Sequence, residues 1–179
     1  MKQTELEKIT FDQYQITRLS KMAKENREEL DNIVDDFTFS VYLNSIQSLD
    51  ITLNNKATSE LVGVDKEKIY KEGFALTREL SDTRVLDRNI VNIRKYEKAA
   101  DKTVPFTYFQ RLLIDQKMTW VLSHKSFVND SEYLNIIYSI KELGGLGMVI
   151  EEILGEALIK RDGWLLYSQL SAREKEVML

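Results

Sequence analysis

The chain has 179 residues, of which 43% are apolar and 30% charged, and its net charge is −4. That balance belongs to a folded globular protein rather than a disordered one, and no run reaches the roughly 18 apolar residues a membrane helix needs. Cysteine is absent and His124 is the single histidine, which excludes disulfides, thiolate nucleophiles, cysteine-held metal clusters and any site needing two imidazoles.

Residues 10–34 predict a helix. Thr10 and Gln13 have the spacing of a capping box, and Ile16, Leu19, Ala23, Asn26, Leu30 and Ile33 recur by threes and fours with one polar interruption. Such a row serves equally to pack on its own domain or to pair with a second copy. From Phe37 the period changes to two. Strands are predicted at 37–44 and 48–54, joined as a hairpin. Ala57–Val62 reads as a short helix ended by Gly63, and Asp65–Tyr70 as another stopped at Gly73. Asp82–Asp101 is a longer helix with Leu86, Ile90 and Ile93 on one face. The only proline, Pro105, stands at the mouth of an apolar run, where a strand tolerates a missing N–H.

Three strands follow at 104–114, 118–128 and 132–140, separated by the turn-like triplets Asp115-Gln116-Lys117 and Asn129-Asp130-Ser131. After Gly144, Gly145 and Gly147 the pattern is helical again. Leu146, Val149, Ile150, Ile153, Leu154, Ala157 and Leu158 form one apolar stripe, closed by Lys160, Arg161 and Gly163. The order predicts an α+β domain built on a five-stranded antiparallel sheet with helices on one face, plus flanking N- and C-terminal helices. The expected divisions are a helical flank at 1–36, the sheet domain at 37–140, a helix and linker at 141–169, and a further segment at 170–179.

Certain of these residues resemble a PAS sensory domain. In SLDITLNNKATSELVGV, residues 48–64, a strand runs into asparagine and then a helix ending at glycine, with Asn54 or Asn55 in the asparagine position. TVPFTYFQRLLI and KMTWVLSHKSFV are similar to the family's two long strands, with Trp120 early in the second. The resemblance covers residues 37–140 and implies signal sensing. LSAREKEVML, residues 170–179, is similar to the opening of a LuxR-type helix-turn-helix domain, and Ser171 with Glu174 is a capping box. That second resemblance implies a bacterial transcription regulator cut off where its DNA-binding domain begins. DNA would be reached only through the missing part, and the acidic balance agrees that these residues are not themselves a nucleic-acid surface.

The expected ligand pocket lies between sheet and helices, with Phe39, Val41, Ile51, Trp120 and Ile136 as candidates from strand periodicity, the inward face being left open. His124 shares a strand face with Met118, Trp120, Leu122 and Val128 and reads as a hydrogen-bonded structural residue. Haem-binding relatives of the PAS family usually carry their histidine on or just after the longer helix, and 82–103 has none. The family's flavin photosensors need a cysteine, also absent. Gly144-Gly145-Leu146-Gly147 lacks the third glycine and the βαβ setting of a dinucleotide loop and reads as a hinge. Glu151, Glu152 and Glu156 read as a solvated helix face. Asp35, Asp36 and Asp82 lack companions for acid–base work. No catalytic residue, metal or cofactor is expected, so the chain is not read as an enzyme. The N-terminus, MKQTELEKITFDQYQ, is no signal peptide, and the location expected is the cytoplasm. The expected partners are an unidentified small molecule and a second copy held by the flanking helices, with Val149 and Ile153 in the dimer contact. The alternative is a ligand-free dimerisation module whose pocket is filled by side chains.

Overall fold

The computed structural model describes residues 5–99 and 101–169, with side chains for 14–99 and 101–162; the segment LSAREKEVML lies outside the described residues. The strands are β1 (Ser40–Ser45), β2 (Ile51–Asn54), β3 (Phe106–Ile114), β4 (Lys117–Phe127) and β5 (Glu132–Ser139), and the helices are α1 (Glu5–Glu25), α2 (Arg27–Ile33), α3 (Lys56–Val62), α4 (Lys66–Glu79), α5 (Thr83–Glu97) and α6 (Gly144–Gln169). The strands form one antiparallel sheet in the order β2-β1-β5-β4-β3. β3, β4 and β5 are the expected meander. Asp115 and Gln116 both take positive φ, 48° and 61°, the conformation that a tight two-residue hairpin needs. Asn129 Oδ1 organises the next turn by accepting from the backbone N–H groups of Ser131 and Glu132.

The first two strands are shorter than the alternation predicts. Val34–Asp36 form a 3-10 turn ahead of β1, which leaves Phe37 and Phe39 outside the strand with their rings 5.3 Å apart. Ser45 Oγ accepts from Gln47 and Ser48 N–H, and Leu49 turns to φ 65°, so β2 begins only at Ile51.

The N-terminal helix differs from its expected form at both ends. It starts at Glu5, which places Thr10 inside the helix rather than at its start. It breaks at Asn26 (φ −150°), whose side chain accepts from Glu29 N–H and donates to Glu29 Oε2. Asn26 is thus the N-cap of a second helix, started where the apolar row suggested continuity. Ile16, Leu19, Ala23 and Leu30 are buried, with α1 packed on β4 and β5. The row at 16–33 is thus occupied by its own chain and is not free to hold a second copy.

α3, α4 and α5 gather on the other face of the sheet. Gly63 ends α3 in the left-handed conformation, φ 66°. Gly73 does not end α4 but kinks it (φ 53°, ψ −132°). Asp50 Oδ1 accepts from the N–H of Phe74 and restarts the helix, while a Cβ at Gly73 would collide with that carboxylate. Asp82 caps α5 by accepting from Arg84 N–H.

The described residues fall into two compact units, one reaching Ser139 and one starting at Ile140. In the second, a 3-10 turn (Ile140–Leu143) leads into α6. Gly147 sits so close to the carbonyl of Ile140 that no Cβ fits there, a packing role within a helix start rather than a phosphate loop. Met148, Val149, Ile153 and Ile159 of α6 are exposed.

Asn55 joins the sheet to α3. Its Oδ1 accepts from the N–H groups of Val41 and Thr58, and its Nδ2 donates to the carbonyls of Phe39 and Phe37. Asn55 is fully buried, so deleting the amide leaves these backbone groups without water to replace it. Asn55→Ala is expected to cost about 3 kcal/mol of unfolding free energy in a urea titration, from the lost cap and the orphaned groups. Asn55→Asp, which keeps the acceptor, should lose less.

Candidate functional site

Strand alternation gives the sheet two chemically different faces. Val41, Leu43, Leu122, His124, Leu134 and Ile136 are buried on one of them. Tyr42, Asn44, Tyr108, Gln110, Lys125 and Ile137 point the other way and floor a cavity of about 100 Å³ roofed by α3, α4 and α5. The roof is mostly apolar, with Val62 from α3, Ile69 and Leu76 from α4, and Leu86, Ile90 and Ile93 from α5, beside the polar Thr58, Thr77 and Asn89. The kink at Gly73 brings Gly73 and Phe74 to its wall.

Of the five candidates from periodicity, only Ile51 lines this cavity. Val41 and Ile136 pair with each other on the opposite face, Trp120 lies there with the Arg111 guanidinium 5.9 Å from its ring centroid, and Phe39 precedes the strand. The alternation was legible, but helices cover both faces and hydrophobicity could not tell one from the other. The missed residues are the polar ones on the cavity side. Their signal is a set of polar side chains in phase on strands whose neighbours are apolar.

Lys125 is the only ammonium or guanidinium on the cavity's lining and is 3% exposed. Its Nζ donates to Asn44 Oδ1 at 3.0 Å and lies 4.3 Å from the ring centroid of Tyr133. Asn135 Nδ2 donates to the same Asn44 oxygen at 2.7 Å. Burial pulls the ammonium down to about 7; the charge of Glu97 opposes this and that of Arg94 adds to it. Glu97 Oε1 is already engaged, accepting from Tyr133 Oη at 2.6 Å and Arg94 Nη1 at 2.7 Å. Elsewhere on the floor, Gln110 Nε2 donates to Ser123 Oγ, and burial raises Tyr42 to about 12.

His124, next in sequence, faces away from the cavity. Its Nδ1 hydrogen-bonds with Thr107 Oγ1 at 2.7 Å and its Nε2 with Tyr138 Oη at 3.3 Å. Burial lowers it to about 4, so it is neutral at physiological pH with both nitrogens satisfied. Asp82 is held near 2, first by Arg84 and also by Arg111, an ionised cap rather than a proton donor. Glu151, Glu152 and Glu156 are exposed. Among the described residues no group of three or more acidic or histidine side chains is placed to hold a metal ion, and no helix is long and apolar enough to cross a membrane.

No protein-family model and no curated protein matches the sequence. Solved structures do match the fold. The PAS domain of BvgS from Bordetella pertussis superposes with a TM-score of 0.51 at 11% identity, covering 74% of this chain and 98% of that one. A PAS domain from a two-component sensor histidine kinase gives 0.50 at 10% identity, covering 63% and 95%. The PAS domain of an HTR-like protein from Haloarcula marismortui gives 0.49 at 12% identity, covering 64% and 97%. The fold of residues around the sheet is the PAS fold.

The buried amine has a pH signature. An unfolded lysine holds its proton up to about 10.4, whereas Lys125 releases it at about 7 in the folded chain. Between those values the unfolded state binds more protons, so stability rises with pH across that window and is flat below it. The expected slope in urea titrations approaches about 1.4 kcal/mol per pH unit between pH 8 and 9.5. Lys125→Met should flatten it.

Proposed function

We propose that this chain is the small-molecule-sensing part of a cytoplasmic transcription regulator and that it acts without catalysis. The observation that carries the sensing role is the cavity between the sheet and α3–α5, mostly apolar above and more polar below, which matches the usual make-up of ligand sites. A ligand-free dimerisation module would fill that space with side chains, and here it is open. The groups on the cavity floor are held by one another rather than aligned as a nucleophile with its base, which favours binding over turnover. The link to transcription rests on the similarity of LSAREKEVML to the start of a LuxR-type domain; a ligand-dependent change in the sensor would then reach DNA through that domain.

Native mass spectrometry beside a denatured control tests the sensor. The expected outcome is a released small molecule from the native chain, or uptake of one from a soluble cell extract. Ile137→Trp, which puts an indole into the cavity from its floor, should abolish the bound mass while the far-ultraviolet circular dichroism is kept. Equal mass gain by both proteins would refute the assignment.

A second copy is proposed as the partner of α6. The stripe at 16–33 is buried against its own sheet, whereas Val149 and Ile153 are 53% and 61% exposed, and exposed apolar rows seldom stay uncovered. A dimer there would set the separation of two DNA-binding heads, as half-site spacing requires. Sedimentation velocity should show dimers for the native chain and folded monomers for Val149→Asp/Ile153→Asp. A native chain that is monomeric at high micromolar concentration would rule this contact out.

A further inference from the structure

Resting on the reading that the cavity binds a small molecule, we propose that its occupant is a small apolar monocarboxylate, with the carboxylate held by Lys125. An ammonium buried this deeply is costly unless a countercharge and hydrogen bonds compensate it. Lys125 has three N–H donors. Among the described residues it makes one hydrogen bond, to the neutral Asn44, and no carboxylate lies within ion-pair distance. The acid whose charge acts on it, Glu97, already bonds Arg94 and Tyr133. The chain thus supplies a cation at the cavity and no anion to match it.

The rest of the lining fixes the other properties of the ligand. A single cationic side chain among the lining residues suits one negative charge; a dicarboxylate or phosphate would bring charge left unpaired. Ile69, Leu76, Leu86 and Ile90 favour hydrocarbon at the far end, and the polar roof residues Thr58 and Asn89 are already bonded to the carbonyls of Val41 and Phe109. The size is small: the cavity's roughly 100 Å³ is below the roughly 150 Å³ of an apolar cavity known to take up benzene. A short aliphatic acid fits these limits.

Carboxylate binding also draws a proton. At pH 8 the amine is largely neutral, and an arriving anion favours its charged form. The other groups near Lys125 are Glu97 and Arg94 on α5, Tyr133 on β5, Tyr108 on β3 and Tyr42 on β1. The acid and the guanidinium are already paired to each other, and burial raises the three phenols. Lys125 is left as the group that takes up the proton.

The test uses the full chain and isothermal titration with acids from propionate to hexanoate, each beside its matching alcohol. At pH 7 at least one acid should bind at least tenfold more tightly than its alcohol. Lys125→Met should lose that preference yet still bind the alcohol. At pH 8, titrations in buffers of different ionisation enthalpy should show uptake of up to one proton per acid bound by the native chain. That readout does not depend on the variant folding. Alcohols bound as well as acids, or an acid preference kept by Lys125→Met, overturns the proposal while leaving the cavity's sensing role intact. If the native chain binds none of the probes and retains no other small molecule, both readings fall.

Discussion

Asn55 stands where β2 gives way to α3, and its amide serves both sides of the junction. It caps the helix through Thr58 N–H and completes the backbone bonding of the chain leading into β1 through Phe37, Phe39 and Val41. Thr58 adds to the tie, with Oγ1 donating to the carbonyl of Val41. β1 lies between β2 and β5, so a displacement here shifts two strand pairings and the first helix of the roof together. A residue that accepts two N–H groups and donates to two carbonyls at one buried point must carry an amide, and the shorter asparagine keeps that amide close to its own backbone. The cavity exists because this junction holds α3 at a fixed place above the sheet.

With α1 on one face of the sheet and α3–α5 on the other, consecutive residues of β4 are buried in opposite directions. His124 and Lys125 are such a pair. Burial pushes both bases toward neutrality, to about 4 and about 7. The imidazole meets a hydroxyl at each nitrogen and has nothing left to bind. The amine meets one amide oxygen and an aromatic ring beside an open space. Their burial is alike, and the difference in saturation makes one structural and the other available.

Much of this was legible in the sequence where the information is local. β3, β4 and β5 sit close to their predicted limits because Asp115-Gln116 and Asn129 punctuate them by turn chemistry that needs no distant partner. Gly63 ends α3 for the same kind of reason. Where the deciding contact is remote, the pattern misled. Gly73 looked like a helix stop, but Asp50, on the segment before β2, caps the turn beyond it. The break at Asn26 was written in Asn26 and Glu29, yet the apolar row from Ile16 to Ile33 runs across it without a change of phase. The pocket face failed for a different reason: two buried faces give the same hydrophobic alternation. The polar residues Tyr42, Asn44, Gln110 and Lys125 carried the distinction.

The surroundings of Lys125 do more than hold an amine. Tyr133 donates its hydroxyl to Glu97, and a phenol hydrogen-bonded to a carboxylate has a more electron-rich ring, which strengthens its attraction for an ammonium over its face. Glu97 is held in turn by Arg94, whose guanidinium donates to the carbonyls of Ile46 and Gln47 in the β1–β2 connection. A contiguous polar path therefore runs from the floor of the cavity through one aromatic ring and one ion pair to a surface turn. The carboxylate of Glu97 favours the charged amine and the guanidinium of Arg94 disfavours it, so the charge on Lys125 and the geometry of that ion pair are linked reciprocally. A countercharge placed in the cavity relieves the burial cost of the amine and lessens its dependence on Glu97.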